Sequence, residues 1–219
     1  MPASRSPWHA STWILVFAAL AGTMALHAQG TALPDAPSAT ITLVNGRAYH
    51  RPTRKEDFKA YEHEVIGPRA FIGAAFRSGI EQARTVPVGW GQDWPGYGQR
   101  YGSAYAEIAI DSSVRFGLAA ALHEDTRYLI CHHCSLGAKF ENALLAEVTN
   151  RHGVDGHRRL SVVPVVATFS GPLVAYSAWY PPTYGPGEAA GHAAFGLTTH
   201  VFGHMVREVF FDHDRKPKP

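Results

Sequence analysis

Most of the chain follows the helical period of apolar and polar positions, and few segments alternate as strands do. A capping box at Thr53–Glu56 predicts the start of a first helix, because both side chains can accept free backbone N–H groups there. Helical spacing then predicts a second helix after Gly67-Pro68, a third from about Tyr101 to His123, a fourth capped by Ser135, and apolar segments at 160–179 and 188–211.

The apolar positions are concentrated in two places. In the second predicted helix they form one stripe, made of Ile72, Phe76, Gly79, Ile80 and Ala83, while Arg69, Arg77, Glu81 and Arg84 lie elsewhere. The stretch 160–206 is also largely apolar, with Glu188 as its one formally charged residue. A hinge rich in Tyr and Pro at 180–186 divides this stretch into two arms.

These elements predict an all-α fold, an antiparallel assembly of five or six helices rich in Gly and Ala. We expect a signal peptide at 1–28, a flexible linker at 29–52, a helical domain at 53–211 and a polar tail at 212–219. Asn45-Gly46 suits a type I′ turn and predicts a small hairpin within the linker. Residues 150–159 are predicted to form a turn region.

The N-terminus has the three parts of a secretory signal. Arg5 supplies a positive charge, Trp13 to Leu26 is an apolar run of 14 residues, and Ala28 offers a small residue to signal peptidase. Such a run is shorter than the roughly 20 residues that a membrane-spanning helix needs. We therefore expect cleavage and export to the periplasm or the outer cell envelope, with an uncleaved anchor as the alternative.

Composition and charge exclude several classes of protein. Without the signal the chain holds 19 basic and 18 acidic residues and no basic block, so a nucleic-acid partner is not expected. Charged residues make up 17% of the chain, below the roughly 25% of typical globular proteins. This low charge leaves open whether the helices pack in water or beside lipid, because both settings use small residues for close contacts.

The two cysteines, Cys131 and Cys134, enclose two histidines. In an oxidising compartment we expect them to pair with each other. The same C-x-x-C spacing with a neighbouring His is typical of strongly oxidising thiol enzymes, but no strand precedes it as in a thioredoxin fold. Cys131, His133 and Cys134 are also weak candidates for zinc, although adjacent residues cannot readily surround a tetrahedral ion.

His200 and His204 are a second weak candidate for a metal site, because residues four apart share a helix face. Arg207 lies on the same face and would repel a cation. The favoured interpretation of this face is a solvated polar surface.

The loop after the third predicted helix brings acid, base and hydrogen-bond donors together. His123, Glu124 and Asp125 are weak candidates for acid–base catalysis, with a polar helix exit paired to Arg127 as the competing interpretation. If the helices simply alternate in direction, this loop, the cysteines and the hinge at 180–187 lie at one end. The aromatic loop at 87–98 then lies at the other end.

Five segments together resemble an uncharacterised family of exported bacterial proteins. They are LPDAPSA at 33–39, GPRAFIGAAF at 67–76, WGQDWPGYGQRYGSA at 90–104, HEDTRY at 123–128 and AWYPP at 178–182. The resemblance covers most of the mature chain and implies an exported protein. It implies no activity, so it assigns no catalytic residue.

The sequence therefore predicts an exported helical protein of the cell envelope that acts as a non-enzymatic structural or interaction module. Its expected partner is an unknown envelope protein or a membrane surface, and no cofactor is predicted. One alternative is a membrane-inserted protein through 160–206, which Pro164 and Pro172 oppose because they interrupt the apolar segment. The other is a periplasmic thiol–disulfide or metal-binding protein that uses the segment 131–134.

Overall fold

The computed structural model describes residues 42–210, which fold as a helical bundle with two small β-hairpins, and this confirms the all-α prediction. The predicted signal peptide, most of the predicted linker and the predicted polar tail lie outside the described residues. The helices are α1 (Arg54–Ile66), α2 (Pro68–Ala83), α3 (Trp94–Leu122), α4 (Leu136–Ala146), α5 (Val163–Ala178) and α6 (Pro186–Phe210).

Side-chain caps set several helix starts. The capping box at Thr53 is confirmed, since its hydroxyl accepts a hydrogen bond from the backbone N–H of Glu56 while the Glu56 carboxylate accepts one from Thr53. Ser135 caps α4 as predicted. Helix α3 begins at Trp94, earlier than predicted, because the Asp93 carboxylate accepts the N–H of Gly96 at 3.0 Å.

Two antiparallel hairpins accompany the helices. The first joins β1 (Leu43–Val44) to β2 (Arg47–Ala48) through the predicted turn, whose Asn45 and Gly46 both have positive φ. The second joins β3 (Thr149–His152) to β4 (His157–Leu160). The prediction of a turn region at 150–159 was therefore incomplete, because the turn carries a strand on each side.

The first hairpin belongs to the folded domain rather than to a flexible linker. The Asn45 side chain donates a hydrogen bond to the carbonyl of Leu129 at 2.7 Å, and the Tyr49 hydroxyl donates one to Asp125 at 3.0 Å. The predicted domain boundary at residue 53 is therefore too late, because the first hairpin already contacts the helical domain.

Helix α3 is the central helix of the bundle. It packs against α1, α2 and α5, while α6 packs against α5 and α4. After α3 the chain does not cross the bundle, because Asp125 pairs with Arg151 of β3 through two backbone hydrogen bonds. Helix α5 thus starts at the end where α3 finishes and runs back toward the start of α3.

This path overturns the expected grouping of loops. The hinge residue Tyr180 contacts the Trp90 ring, with centroids 5.1 Å apart, so the hinge lies beside the aromatic loop. Tyr180 also hydrogen-bonds to Glu107 of α3. At 1.5 Å per residue, Glu107 is roughly 24 Å along the helix from His123. The short α4 and the second hairpin break the simple alternation of helix directions on which the expectation depended.

The helices place small and charged residues inside and large apolar residues outside. In α2 the buried side consists of Ala70, Ala74, Ser78 and Glu81. The predicted apolar stripe faces outward instead, with Ile72 exposed by 68% and Phe76 by 59%. An amphipathic helix in a water-soluble domain ordinarily turns this stripe toward the core.

The same inversion recurs in other helices. Helix α4 buries Lys139 and Asn142 and exposes Leu136 and Phe140. In α5 the inner side consists of Val163 and of Ala, Ser, Thr, Gly and Pro residues, whereas Val165 and Leu173 are exposed. The buried side chains with the largest volumes include Arg100, Glu107 and Glu208.

Among the helices of residues 42–210, none combines the length and the hydropathy that a membrane crossing requires. This finding includes α5 and α6, which occupy the stretch 160–206 that the sequence suggested for insertion.

The buried Arg100 provides a direct test of the polar interior. Its guanidinium donates to the carbonyls of Val86, Pro87 and Gly91 and to the Gln82 side chain, at 2.6–3.0 Å. We expect Arg100→Met to lower the free energy of unfolding by about 2–4 kcal/mol, because four buried acceptors lose their donor.

Urea titration followed by circular dichroism measures this effect. The control is Arg159→Met on the exposed part of β4, which should change the stability by less than about 0.5 kcal/mol. Equal effects of the two variants would contradict the structural role of Arg100.

Candidate functional site

A buried ion cluster lies where α2, α3 and α6 meet the end of α5. Its members are Arg77, Glu81, Glu107, Tyr180 and His192. The side chains of Glu107, Glu81 and His192 are exposed by 1%, 6% and 8%. Charged groups are rarely buried to this degree unless they are paired.

Each charged group of the cluster has a partner on another helix. Arg77 of α2 pairs with Glu81 at 2.9 Å and also with Glu107 of α3. The His192 Nε2 atom lies 2.7 Å from the Glu81 carboxylate. The Tyr180 hydroxyl donates to Glu107 at 2.9 Å. The cluster therefore connects three helices and the hinge through ionic hydrogen bonds.

Small residues make this arrangement possible. Arg77 and Glu81 are four residues apart and share one side of α2 with the buried alanines. Across the cluster, Gly171 of α5 lies against the backbone of Glu107, and a Cβ atom at Gly171 would be 2.8 Å from the Glu107 carbonyl oxygen. A larger residue would separate α5 from α3 at the level of the cluster.

The electrostatics of the cluster favour ionised partners. Burial alone would raise the pKa of Glu81, but the hydrogen bond from His192 and the charge of Arg77 lower it below its usual value. Burial and the charge of Glu107 raise the pKa of Tyr180, so this phenol stays neutral.

A small cavity adjoins the cluster. It measures about 30 Å³ and its polar lining comes from Arg77, Glu107, Asp111, His192 and His200, together with a threonine. This volume holds roughly one water molecule, which finds several polar partners there. The cavity is therefore the size of about one water molecule.

A second acid–histidine group lies further along α6. His200 and His204 both approach Glu147 at the end of α4, at 3.6 and 3.4 Å. His200 is also 3.7 Å from Asp111 of α3, and the His204 ring stacks on Tyr128 with centroids 3.8 Å apart. The expected solvated face at His200 and His204 was therefore wrong, because both imidazoles face carboxylates of neighbouring elements.

Burial and the contacts between its members together set the charge states of this group. Burial would raise the pKa of Glu147, yet the imidazoles of His200 and His204 lower it to about 2. Burial lowers the pKa of His204, and Arg207 adds to this effect, while Glu147 opposes it. An ionised Glu147 beside a neutral His204 is the arrangement that these shifts favour at neutral pH.

The cysteines form the predicted disulfide between Cys131 and Cys134. Such a bond fits an oxidising compartment. The backbone N–H of Cys131 donates to both oxygens of Glu208, whose side chain also accepts from Tyr128 and Asn142. The buried Glu208 carboxylate near Cys131 would disfavour a negatively charged thiolate at this cysteine. Thiol redox enzymes instead surround their catalytic thiolate with positive charge.

The residues predicted for acid–base chemistry do not converge on one point. His123 ends α3 in a left-handed conformation. Glu124 instead accepts a hydrogen bond from Asn150, and Asp125 pairs with Arg127 at 2.9 Å. The Asp125–Arg127 pair agrees with the competing interpretation of a polar helix exit.

Metal binding at the predicted positions finds no geometric support in the described chain. Within residues 42–210, no group of three or more His, Cys, Asp or Glu side chains is arranged to hold a metal ion. The zinc candidates Cys131 and Cys134 are bonded to each other.

The pattern of residues along the chain did not lead to a prediction of the buried ion cluster. A signal was nevertheless present, because Glu81 continues a stripe of small residues at 70, 74 and 78, where a solvated charge is not expected. The partners Glu81 and His192 are 111 residues apart, so spacing alone could not join them.

No family model, no curated protein and no solved structure matches the chain. The resemblance to exported bacterial proteins consequently stays a prediction.

Acidification should destabilise the fold partly through His204. A buried imidazole with a lowered pKa stays neutral when folded, but gains a proton in the unfolded chain once the pH falls below about 6.5. The stability that depends on neutral His204 is therefore present above this pH and is lost as the pH falls. We expect His204→Gln to reduce the loss of unfolding free energy between about pH 7.5 and about pH 5, by roughly 1 kcal/mol.

The measurement is a set of urea titrations across this pH range. His63→Gln, at an exposed position on α1, is the matched control and should keep the wild-type pH dependence. An unchanged pH dependence in His204→Gln would count against a buried neutral imidazole.

Proposed function

We propose that this chain is an exported, non-enzymatic module of the cell envelope that contacts an anionic membrane surface through its apolar exterior. The observation that carries this proposal is the inverted polarity of the bundle, with ion pairs inside and large apolar side chains outside. Exposed apolar surface of this kind marks an interaction site rather than ordinary surface variation.

The proposed contact surface is formed by three neighbouring helices, α4, α5 and α6. We define this outer apolar surface by its exposed residues Leu136, Phe140, Leu144, Leu145, Val162, Val165, Val166, Leu173, Phe202, Val209 and Phe210. On α5 these positions follow the spacing of one helix face, opposite the side that packs on α3. An apolar helix face can lie within the boundary between lipid headgroups and acyl chains.

Charge favours lipid over a protein partner. The stretch 160–206 carries Glu188 as its one charged residue and is bounded by Arg158-Arg159 on one side and Arg207 on the other. Both boundaries lie at the end of the bundle where α5 begins and α6 finishes. Apolar surface beside basic residues is the pattern that binds anionic membranes.

Export is supported by the three-part N-terminal pattern, by the resemblance to exported bacterial proteins and by the disulfide. Disulfides persist in oxidising compartments and are rare in the cytosol. A non-enzymatic role is supported by the buried ion cluster, whose adjoining cavity is the size of about one water molecule.

Export can be tested by expressing the whole chain in a Gram-negative host. We expect the protein outside the cytoplasm at a mass that lacks about residues 1–28, because signal peptidase cuts after the small residue. The control is Val16→Arg, which interrupts the apolar run and should block processing. Full-length protein that stays in the cytoplasm would contradict the export proposal.

Membrane contact can be tested by flotation of the purified mature chain with anionic vesicles. We expect the triple variant Val165→Ser, Val166→Ser and Leu173→Ser to bind roughly tenfold or more weakly, because each loses apolar area that enters the lipid. The fold should persist, since all three residues are exposed.

The matched control replaces Val88 and Val154 by Ser, two exposed valines outside the outer apolar surface. It should float as the wild type does. Equal flotation of all variants, or a dimer in solution that the triple variant dissociates, would reject the membrane in favour of another partner.

A further inference from the structure

A basic cleft lies at the end of the bundle where α3 and α6 finish. It measures about 220 Å³ and is bounded by the first hairpin, the segment 127–132 and Arg207 of α6. Three arginines, two histidines and two tyrosines line it, and no Asp or Glu does. The cleft is separate from the buried ion cluster, which lies further back along α3.

Two of the three arginines have no acidic partner in the described chain. Arg127 is paired with Asp125 through two hydrogen bonds and so contributes little net charge. For Arg47 and Arg207, no carboxylate of residues 42–210 lies within ion-pair distance. Within the described residues, the cleft therefore carries positive charge at Arg47 and Arg207 that no ion pair neutralises.

Arg207 is the more strongly constrained of the two. Its guanidinium lies 5.2 Å from the centre of the Tyr128 ring, which holds it at the wall of the cleft. Burial lowers the pKa of Arg207, and the charge of Arg69 lowers it further, against the effects of Glu64 and Glu208. The Glu208 carboxylate already accepts hydrogen bonds from Tyr128, Cys131 and Asn142. An added anion would relieve this partly buried cation.

We infer that this cleft binds an oxyanion of the phosphate class through Arg47 and Arg207. Arginine presents a planar set of donors that matches such anions in a bidentate manner. Phosphate offers more acceptor oxygens than a carboxylate, so one phosphate group can accept hydrogen bonds from both guanidinium groups. The volume is below the roughly 300–1,000 Å³ of sites for drug-sized ligands, so the bound part is small.

The phosphate can belong to a free ion or to a lipid headgroup. The inference does not depend on the outer apolar surface. Arg207 also borders that surface, but Arg47 belongs to the cleft alone, so Arg47→Met tests phosphate binding separately from the apolar residues. Loss of vesicle flotation in the apolar variants therefore leaves phosphate binding intact, and the two proposals can fail independently.

The test uses the mature chain with its disulfide intact. Inorganic phosphate is titrated by calorimetry at low salt, and binding to vesicles of phosphatidylglycerol or phosphatidylcholine is measured by sedimentation. We expect Arg47→Met and Arg207→Met each to weaken binding at least about tenfold, because a charge-assisted contact is lost. Arg84→Met, an exposed arginine directly after α2 that does not line the cleft, should stay within about twofold.

Circular dichroism checks the fold of each variant, and Arg47 is exposed, so its replacement preserves the structure. Phosphate binding that depends on both arginines supports the inference with a free ion as ligand. Binding to phosphatidylglycerol vesicles but not to inorganic phosphate supports the inference with a lipid headgroup as ligand, provided that Arg47→Met and Arg207→Met both weaken it. Absence of binding to both probes, or binding that Arg47→Met and Arg207→Met leave unchanged, overturns it.

Discussion

Charged side chains inside the bundle control how closely its helices pack. A buried carboxylate or guanidinium is strongly unfavourable unless a partner is within hydrogen-bond distance. Arg77, Glu107 and His192 meet this condition by pairing across three helices. The backbones can approach this closely because the surrounding positions are Ala, Ser and Gly, as Gly171 against Glu107 illustrates. The buried charges therefore depend on the small residues, which allow the helices to approach closely enough for the charges to pair.

The polar interior has a direct consequence for the surface. Large apolar side chains do not fit between helices that small residues bring together, so they are placed on the outer side of α4, α5 and α6. Internal ion pairs fix the helix arrangement, since breaking any one of them leaves an unpaired buried charge. The exterior is then available for contact with an apolar environment, which is the basis of the proposed membrane contact.

The two ends of the bundle have different chemistry because the chain path is asymmetric. The backbone pairing of Asp125 with Arg151 returns the chain to the end where α3 finishes. The disulfide, the buried Glu208 and the basic cleft therefore lie at that end. Trp90 and Tyr180 contact each other at the opposite end. Basic residues and the start of the apolar stretch lie together at the first end, so one orientation could serve both proposed contacts.

Interactions between residues close together in the sequence determined the helix starts, the first turn and the disulfide of this protein. The caps at Thr53 and Ser135, the Asn45-Gly46 turn and the Cys131–Cys134 pair involve residues a few positions apart, and each was predictable. The direction in which each helix faces was decided only by the tertiary structure. Hydropathy favours burial of Ile72 and Phe76, but burial of Glu81 becomes favourable once His192, 111 residues away, provides its partner. Such compensation depends on distances between helices, which a linear pattern of polar and apolar residues does not contain.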